Sequence, residues 1–534
     1  MNLENNRIKS RLMFSYDGFR KDSKKKSRVK GIKFFHKLSI KFSKKEFMYL
    51  NCLKSDKPCA KTIILHLERN ADMIERFKLK KNHLKCLKLE VGSKIDVNIK
   101  SRFWKRVLPM TTFFDYLSCQ DITNFIRIFS GNSTKKYRKI VNFSFPIIPL
   151  NRLLYSTLFK KIKDLHSLKM LSFNVQSEVE KSDCIHYLDL LKDLPNIQAL
   201  FINCHLKDPD HFEILKKSLL PLKELKHLSL QCGQIGANHS REAFLNAIHP
   251  LMENHSKMTH LSVELYLPPN HDSYLTFLQK LEHLKSLKSL DLKLDCKKNS
   301  IKLENIHFES QVIPNIKYLV LDANDHSVGA VLAETILSKT MSLITCNLRN
   351  IDLTKKEVIN PFFENYQMQE VQFSFDKPAF LTSLEPIFKN TKNFKNLSYF
   401  SVQVHVEEPL NGYKFDLKKL MEPLDSLPKL DTFVIEVLFP IPIQKSVLRK
   451  LFSKVVKLEY LVSFKLDLIS ESVIEDCSVI DLFKIPNLET LNVRIENLKV
   501  SKKVVNKIKE QIKTLKKIVS CTLEWEDFKL DRTI

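Results

Sequence analysis

The 534-residue chain holds only eight glycines, and none of them falls in a GxGxxG or GxxxxGK[ST] loop, where glycine lets backbone amides approach a phosphate closely. Neither an HExxH metal helix nor a GxSxG nucleophile turn is present, so the metalloprotease and hydrolase classes have no support. Eleven cysteines are scattered without a CxxC pair or a close His/Cys cluster, which excludes a disulfide framework and a zinc module as organising principles. The expectation is a non-enzymatic chain with no cofactor and no metal. There is also no run of about 18 uncharged apolar residues, and the start "MNLENNRIKSRLMF" lacks the apolar centre of a secretory signal. No transmembrane segment is expected, and the expected location is the cytoplasm, with the nucleus as the alternative.

Among what is present, 43% hydrophobic and 28% charged residues suffice for a continuous core under a soluble surface. The net charge of +27 is uneven: residues 1–45 carry eleven Lys and four Arg against three acids, a net +12. The densest stretch, "RKDSKKKSRVK" from Arg20 to Lys30, has the composition of a nuclear-import signal or a nucleic-acid or acidic-membrane contact. A solvated basic tail has the same composition, and the abundance of Lys, Asn, Ile and Phe is what an AT-rich coding sequence produces. Nucleic-acid binding through residues 1–45 is therefore carried as an alternative and not favoured.

One pattern repeats. In "LKSLKSLDLKLD" (284–295) leucines three apart give way to leucines two apart, and the same change of spacing recurs in "LHSLKMLSFNV" (165–175), "IPNIKYLVLDAN" (313–324) and "IPNLETLNVRI" (485–495). Taking the third apolar residue of each unit as its anchor gives Leu171, Leu200, Leu228, Leu261, Leu290, Leu319, Cys346, Val371, Phe400, Phe433, Phe464, Leu491 and Cys521, about 25 to 33 residues apart with a mean near 29. Weaker units continue backwards through Phe143, Tyr116, Leu87, Ile63 and Leu38. Spacing of two is a strand with one buried face, and the leading spacing of three is a helical turn feeding it. Helical patterns fall between, at 182–194, 241–255, 273–287 and 328–339. A unit this short cannot bury both its strand face and its helix stripe, so neighbours must stack into a shared core.

These units resemble the leucine-rich repeat family, with its LxxLxLxxNxL core, and the period resembles the ribonuclease-inhibitor-like subclass. Ile316, Leu319, Leu321 and Asn324 carry the match through its asparagine, whereas Gly233, Ile351 and Glu496 stand at that position elsewhere. The resemblance implies an α/β fold, a leucine-rich repeat solenoid (horseshoe) with parallel strands on the concave face and helices on the convex face. The expected organisation is a basic N-terminal arm over 1–30, divergent N-terminal repeats or a cap over 31–160, and the solenoid proper over 161–534.

Function is expected on the strand face turned away from the helices, because residues flanking the buried anchors alternate outward. Those positions hold seven acids (Glu264, Asp291, Asp322, Glu370, Glu436, Asp467, Glu524) and four bases (Lys293, Arg349, Lys465, Arg494), a balance unlike a phosphate-neutralising groove. The candidate partner-binding residues are Phe201, His227, His260, Glu264, Asp291, Tyr318, Asp322, Arg349 and Tyr399, since aromatics on a rigid polar sheet suit recognition of a protein partner. His227, His260, Glu264, Asp291 and Asp322 include metal-ligating types but lack any local ligand spacing. The expected function is a non-enzymatic interaction scaffold. Two alternatives are kept. The segment "LPMTTFFDYLSCQDITNFIRI" (108–128) resembles the F-box, the module that joins substrate adaptors to a ubiquitin ligase, through Leu108, Pro109, Leu117 and Asp121. Its Leu-Pro to Leu interval is short, however, and it also fits the repeat register. The basic arm supplies the other alternative, a nucleic-acid or nuclear protein. Finally, "SKKVVNKIKEQIKTLKKI" (501–518) is a basic amphipathic helix of a kind that suits a membrane surface or a partner's groove; the favoured reading is the helix of the last repeat, its stripe buried and its lysines solvated.

Overall fold

The leucines three apart form a turn. In the computed structural model the Leu287 N–H donates to the Leu284 carbonyl at 2.8 Å, and the pairs Leu168/Leu165, Leu225/Leu222 and Leu397/Phe394 repeat the bond at 2.8 to 3.0 Å. The chain then enters a strand. At that entry the Lys288 and Ser289 N–H groups both donate to the Thr259 carbonyl of the preceding repeat, at 2.8 and 3.0 Å, and Lys317 and Tyr318 do the same to Lys288. This two-into-one pattern continues strand after strand, so each repeat fixes the register of the next before its side chains pack.

The structure describes three upstream strands and, from residue 108 to 533, most of the chain, the longest interruption being 297–315. It divides into two compact units, Met1–His255 and Ser256–Ile534. The first carries β1 (Phe35–Lys41), β2 (Ala60–Leu67), β3 (Cys86–Val91), β4 (Phe113–Tyr116), β5 (Asn142–Ile147), β6 (Met170–Val175), β7 (Ala199–Asn203) and β8 (His227–Gln231), each parallel to the next. Its helices include α1 (Ile122–Ser130), α2 (Arg152–Lys163), α3 (Lys181–Asp189), α4 (Pro209–Leu219) and α5 (Asn238–Asn254).

The second unit begins with β9 (His260–Leu267), β10 (Ser289–Cys296), β11 (Tyr318–Ala323), β12 (Thr345–Arg349), β13 (Glu370–Phe375) and β14 (Tyr399–Val404). It continues with β15 (Thr432–Ile441), β16 (Ser463–Glu475), β17 (Thr490–Lys499) and β18 (Ser520–Trp525), all parallel, and β19 (Phe528–Thr533), antiparallel to β18. Between strands lie α6 (His326–Lys339), α7 (Leu384–Asn390), α8 (Leu417–Leu420), α9 (Lys445–Val455) and α10 (Lys502–Thr514). Strand, loop and helical segment thus alternate along an open parallel ladder, the architecture of a leucine-rich repeat solenoid.

The expected register is met anchor by anchor. In the second unit Leu261, Leu290, Leu319, Cys346, Val371, Phe400, Phe433, Phe464, Leu491 and Cys521 pair in one unbroken row. In the first, Phe143, Leu171, Leu200 and Leu228 do so, as do Leu38, Ile63 and Leu87 upstream. One anchor is corrected: the residue opposite Phe143 is Phe114 rather than Tyr116, and Phe114 lies opposite Leu89, two residues past the Leu87 anchor. Phe114 is buried and stacks on Phe125 of α1 at 4.9 Å, with Phe129 and Tyr137 stacked beyond at 4.8 Å. Phenylalanine does the work of leucine here, which is why the leucine pattern fades. The described residues of 108–130 form a short 3₁₀ turn at Leu108–Met110, a strand of the ladder and a helix; Leu117 and Asp121 of the F-box resemblance lie outside the described residues.

The helix expected at 273–287 is present in its described part, α-helical at Thr276, Phe277, Gln279 and Lys280, and it closes in a 3₁₀ turn at Leu281–His283 because the turn at Leu284 leads into β10. Two asparagines take up, one residue to either side, the position assigned to Ile351 and Glu496. Asn350 and Asn497 adopt left-handed backbones, φ 55° and 63°, which Asn tolerates better than most residues. The Asn350 amide oxygen accepts from the Asp376 N–H at 2.9 Å, and Asn497 Nδ2 donates to the Ser470 carbonyl at 2.6 Å. The antiparallel β19 has no counterpart in the repeat pattern; Phe528 stacks on Trp525 at 4.6 Å and starts it back along β18.

Candidate functional site

On the face of each strand opposite the buried anchors, three rows run across the ladder: one residue before the anchor, one after, and three after. In the second unit the first row reads His260, Ser289, Tyr318, Thr345, Glu370, Tyr399. The third reads Glu264, Lys293, Asp322, Arg349, Ser374, Gln403, Glu436, Asp467, Arg494, Glu524. All nine candidate residues therefore lie on outward strand positions. Phe201 and His227 belong to the first unit, and the other seven to the second.

In the first unit Phe201 is half-buried on β7 between Ser172 and Ser229 in register, and Asn174, Asn203 and Gln231 form the row beyond. The outward face of β6–β8 is thus uncharged apart from any charge on His227. In the second unit His260 and Tyr318 flank Ser289 at about 10 Å from one another, and Tyr399 lies about 14 Å beyond Tyr318, at about 4.8 Å per strand.

Several charged side chains of this face pair with one another. Lys293 Nζ donates to Glu264 Oε1 at 2.7 Å, Arg494 Nε lies 4.0 Å from Asp467 Oδ1, and Lys529 of β19 donates to Glu524 at 2.9 Å. A longer chain crosses four strands: Gln372 Nε2 donates to Gln403 Oε1 at 2.9 Å, Gln403 Nε2 donates to Glu436 Oε1 at 3.0 Å, and Lys465 Nζ donates to the same oxygen at 2.8 Å. His405 Nε2 stands 3.4 Å from Glu436 Oε2. In two of these pairs the acid is recessed beneath the base: side-chain exposure is 10% at Glu436 and 14% at Glu264, against 35% at Lys465 and 59% at Lys293. At these two places the face presents a basic tip over a paired acid.

The remaining acids on β10–β13 rest on uncharged donors. Ser262 Oγ donates to Asp291 at 3.0 Å, Thr345 Oγ1 donates to Glu370 at 3.0 Å, and Asn350 Nδ2 donates to Asp322 at 3.4 Å. Burial pushes the Asp291 carboxyl above its ordinary range against the pull of the Ser262 hydroxyl. Burial also raises Asp322, with the charge of exposed Arg349 opposing it. At Glu436 burial again acts upward, but the Lys465 and Gln403 hydrogen bonds prevail and hold the carboxyl below its usual value. Burial raises the Tyr399 phenol, and Ser401, two residues along on the outward side of β14, is fully buried.

Glu436 and Lys465 were read from sequence as outward charges but not as candidate contacts, and Gln372, Gln403 and His405 were not named; spacing was the available signal, since Gln403 and Glu436 each stand three residues past an anchor. Among the described residues no group of three or more His, Cys, Asp or Glu is placed to hold a metal ion, and no helix is long and apolar enough to cross a membrane.

Both units are leucine-rich repeat ladders, with one parallel strand per repeat and, where the connections are described, a turn before the strand and mostly a helical segment between strands. No protein-family model matches the chain, and no curated protein does. Among solved structures it is similar to a leucine-rich repeat protein of Leptospira interrogans, at 12% identity over 84% of this chain and 98% of that one, with a TM-score of 0.32. The class rests on the register and hydrogen bonding of the ladder, not on that superposition.

Proposed function

We propose that the chain is a non-enzymatic cytoplasmic scaffold that binds a protein partner on the outward face of β9–β15, the face expected to be concave. One observation supports this most: side chains there are locked to one another across strands, with Tyr318 and Tyr399 held among them. A surface ordered before binding loses little conformational entropy on association, and rigid aromatics supply contact area at low entropic cost. Because the carboxylates there are held by cross-strand donors, charged at Glu264 and Glu436 and uncharged at Asp291, Asp322 and Glu370, discrimination rests on shape, the aromatic rings and the fixed pattern of donors and acceptors.

The test compares the full chain with a His260→Ala/Tyr318→Ala/Asp322→Ala variant in affinity capture from native extract, with circular dichroism confirming the fold. Loss of one protein from the variant's captured set supports the reading. An unchanged set contradicts it and directs attention to the outward face of β6–β8 around Phe201 and His227.

A further inference from the structure

At the end of the second unit, β17, α9, α10 and the β18–β19 hairpin surround a half-open groove of about 820 Å³, within the size range of small-molecule sites. Four lysines line it, Lys445, Lys499, Lys502 and Lys509, against a single carboxylate, Glu475. They come from three elements: Lys445 opens α9, Lys499 ends β17, and Lys502 and Lys509 lie on α10. Their convergence is thus a product of the fold and not the solvated side of one basic helix. Elsewhere in this unit lysines meet carboxylates, as at Lys465–Glu436 and Lys484–Asp481. Among the described residues Lys445 and Lys502 have no such partner, and Lys509 Nζ sits 5.5 Å over the Phe528 ring.

Both helices that begin at the groove lack an acid in the first turn, so the positive ends of two helix dipoles add to the lysine charge rather than being offset. Beneath these charges lie Val505 and the Trp525–Phe528 ring stack, with Phe528 half-buried. A concentration of positive charge above an apolar floor suits a ligand with anionic groups at one end and a flat body at the other. Lysine ammonium groups bind phosphate as point charges without demanding one geometry.

We propose that this groove binds a small oligophosphate-bearing molecule, its phosphates among Lys445, Lys499 and Lys502 and its body against Phe528. The chain has two tryptophans, so a Trp104→Phe background leaves Trp525, in the groove wall, as sole fluorophore. Inorganic triphosphate and ATP are titrated separately into this full-length protein at moderate salt. The expected result is a saturable change in Trp525 emission with a midpoint of about 1 mM or tighter for at least one ligand, weakened about tenfold or more by Lys445→Ala/Lys502→Ala. Both side chains are exposed, so the fold survives their removal, and an unchanged melting temperature checks it. Tighter binding of ATP that Phe528→Ala abolishes assigns the ligand as an aromatic phosphate ester, and equal binding of both assigns the oligophosphate group alone. No emission change, or a midpoint unmoved by the lysine substitutions, overturns the proposal. Displacement of both ligands by a Glu-rich decapeptide at lower concentration overturns it as well, in favour of an acidic peptide.

Discussion

Asp322 and Glu436 occupy the same row, three residues past their anchors, yet their carboxyls are shifted in opposite directions from the ordinary range, and stability should record the difference. Asp322 is raised by burial, so its contribution is fully present below the unfolded carboxylate range and is lost as pH rises through the folded value. Asp322→Asn should therefore raise the melting temperature at pH 7, by less than about 1 kcal/mol of stability, and leave it unchanged near pH 3. Glu436, held low by Lys465 and Gln403 against the upward push of burial, contributes above the unfolded range and loses that contribution as pH falls. Glu436→Gln should cost about 1–3 kcal/mol at pH 7, shrinking toward nothing near pH 3, in paired thermal melts across pH. At Gly329 on α6, an added Cβ would lie 2.7 Å from the Ala323 Cβ of β11 and 2.9 Å from Ile351 Cδ1. Alanine is intrinsically the better helix former, but the Ala323 methyl cannot swing aside, so Gly329→Ala should destabilise by about 1–3 kcal/mol in urea denaturation. The thiols of Cys184, Cys204, Cys232, Cys346 and Cys521 are buried, and burial pushes Cys184 up to about 12. These five should resist alkylation until the chain unfolds, as residue-resolved mass spectrometry would report.

Strands are where leucine gives way to phenylalanine. Phe400, Phe433 and Phe464 replace leucine at three successive anchors and stack at 5.9 and 5.8 Å, extending the core along β14–β16. Phe433→Ala removes the middle ring of the stack and should cost about 3–5 kcal/mol, whereas Phe433→Leu, the residue of the repeat pattern, should cost less than half as much; equilibrium denaturation of the two variants separates these outcomes. The anchors were legible because a strand buried on one face imposes a spacing of two whatever the apolar residue. Tyr116 was misplaced because in "TTFFDY" it stands two residues past Phe114, so a spacing of two fits either residue, and Phe114 is the one that pairs in register with Phe143 and meets Phe125 behind the sheet. Asn350 and Asn497 were passed over because the asparagine was sought at a fixed offset, whereas the backbone needs it wherever the chain turns left-handed. The antiparallel β19 answers a different demand, covering the edge of β18, and that demand leaves no repeat period to read.

Across the whole molecule, periodicity specified the class of fold and the residues that face outward, because both follow from local spacing. It could not specify which outward side chains pair, since Gln372, Gln403, Glu436 and Lys465 are about thirty residues apart from one to the next and meet only once the strands stack. Nor does composition show that Glu264 and Glu436 sit recessed beneath Lys293 and Lys465. If the pre-ordered strand face is the contact surface, a probe placed on it must reach the partner. A photo-crosslinking phenylalanine analogue is placed at Tyr318, at Tyr399 and, as control, at Tyr460, a 61% exposed tyrosine in the turn before β16, and each protein is irradiated in native extract. The same crosslinked protein is expected from Tyr318 and Tyr399 and none from Tyr460. A crosslink from Tyr460 alone, or from none of the three, would contradict that reading.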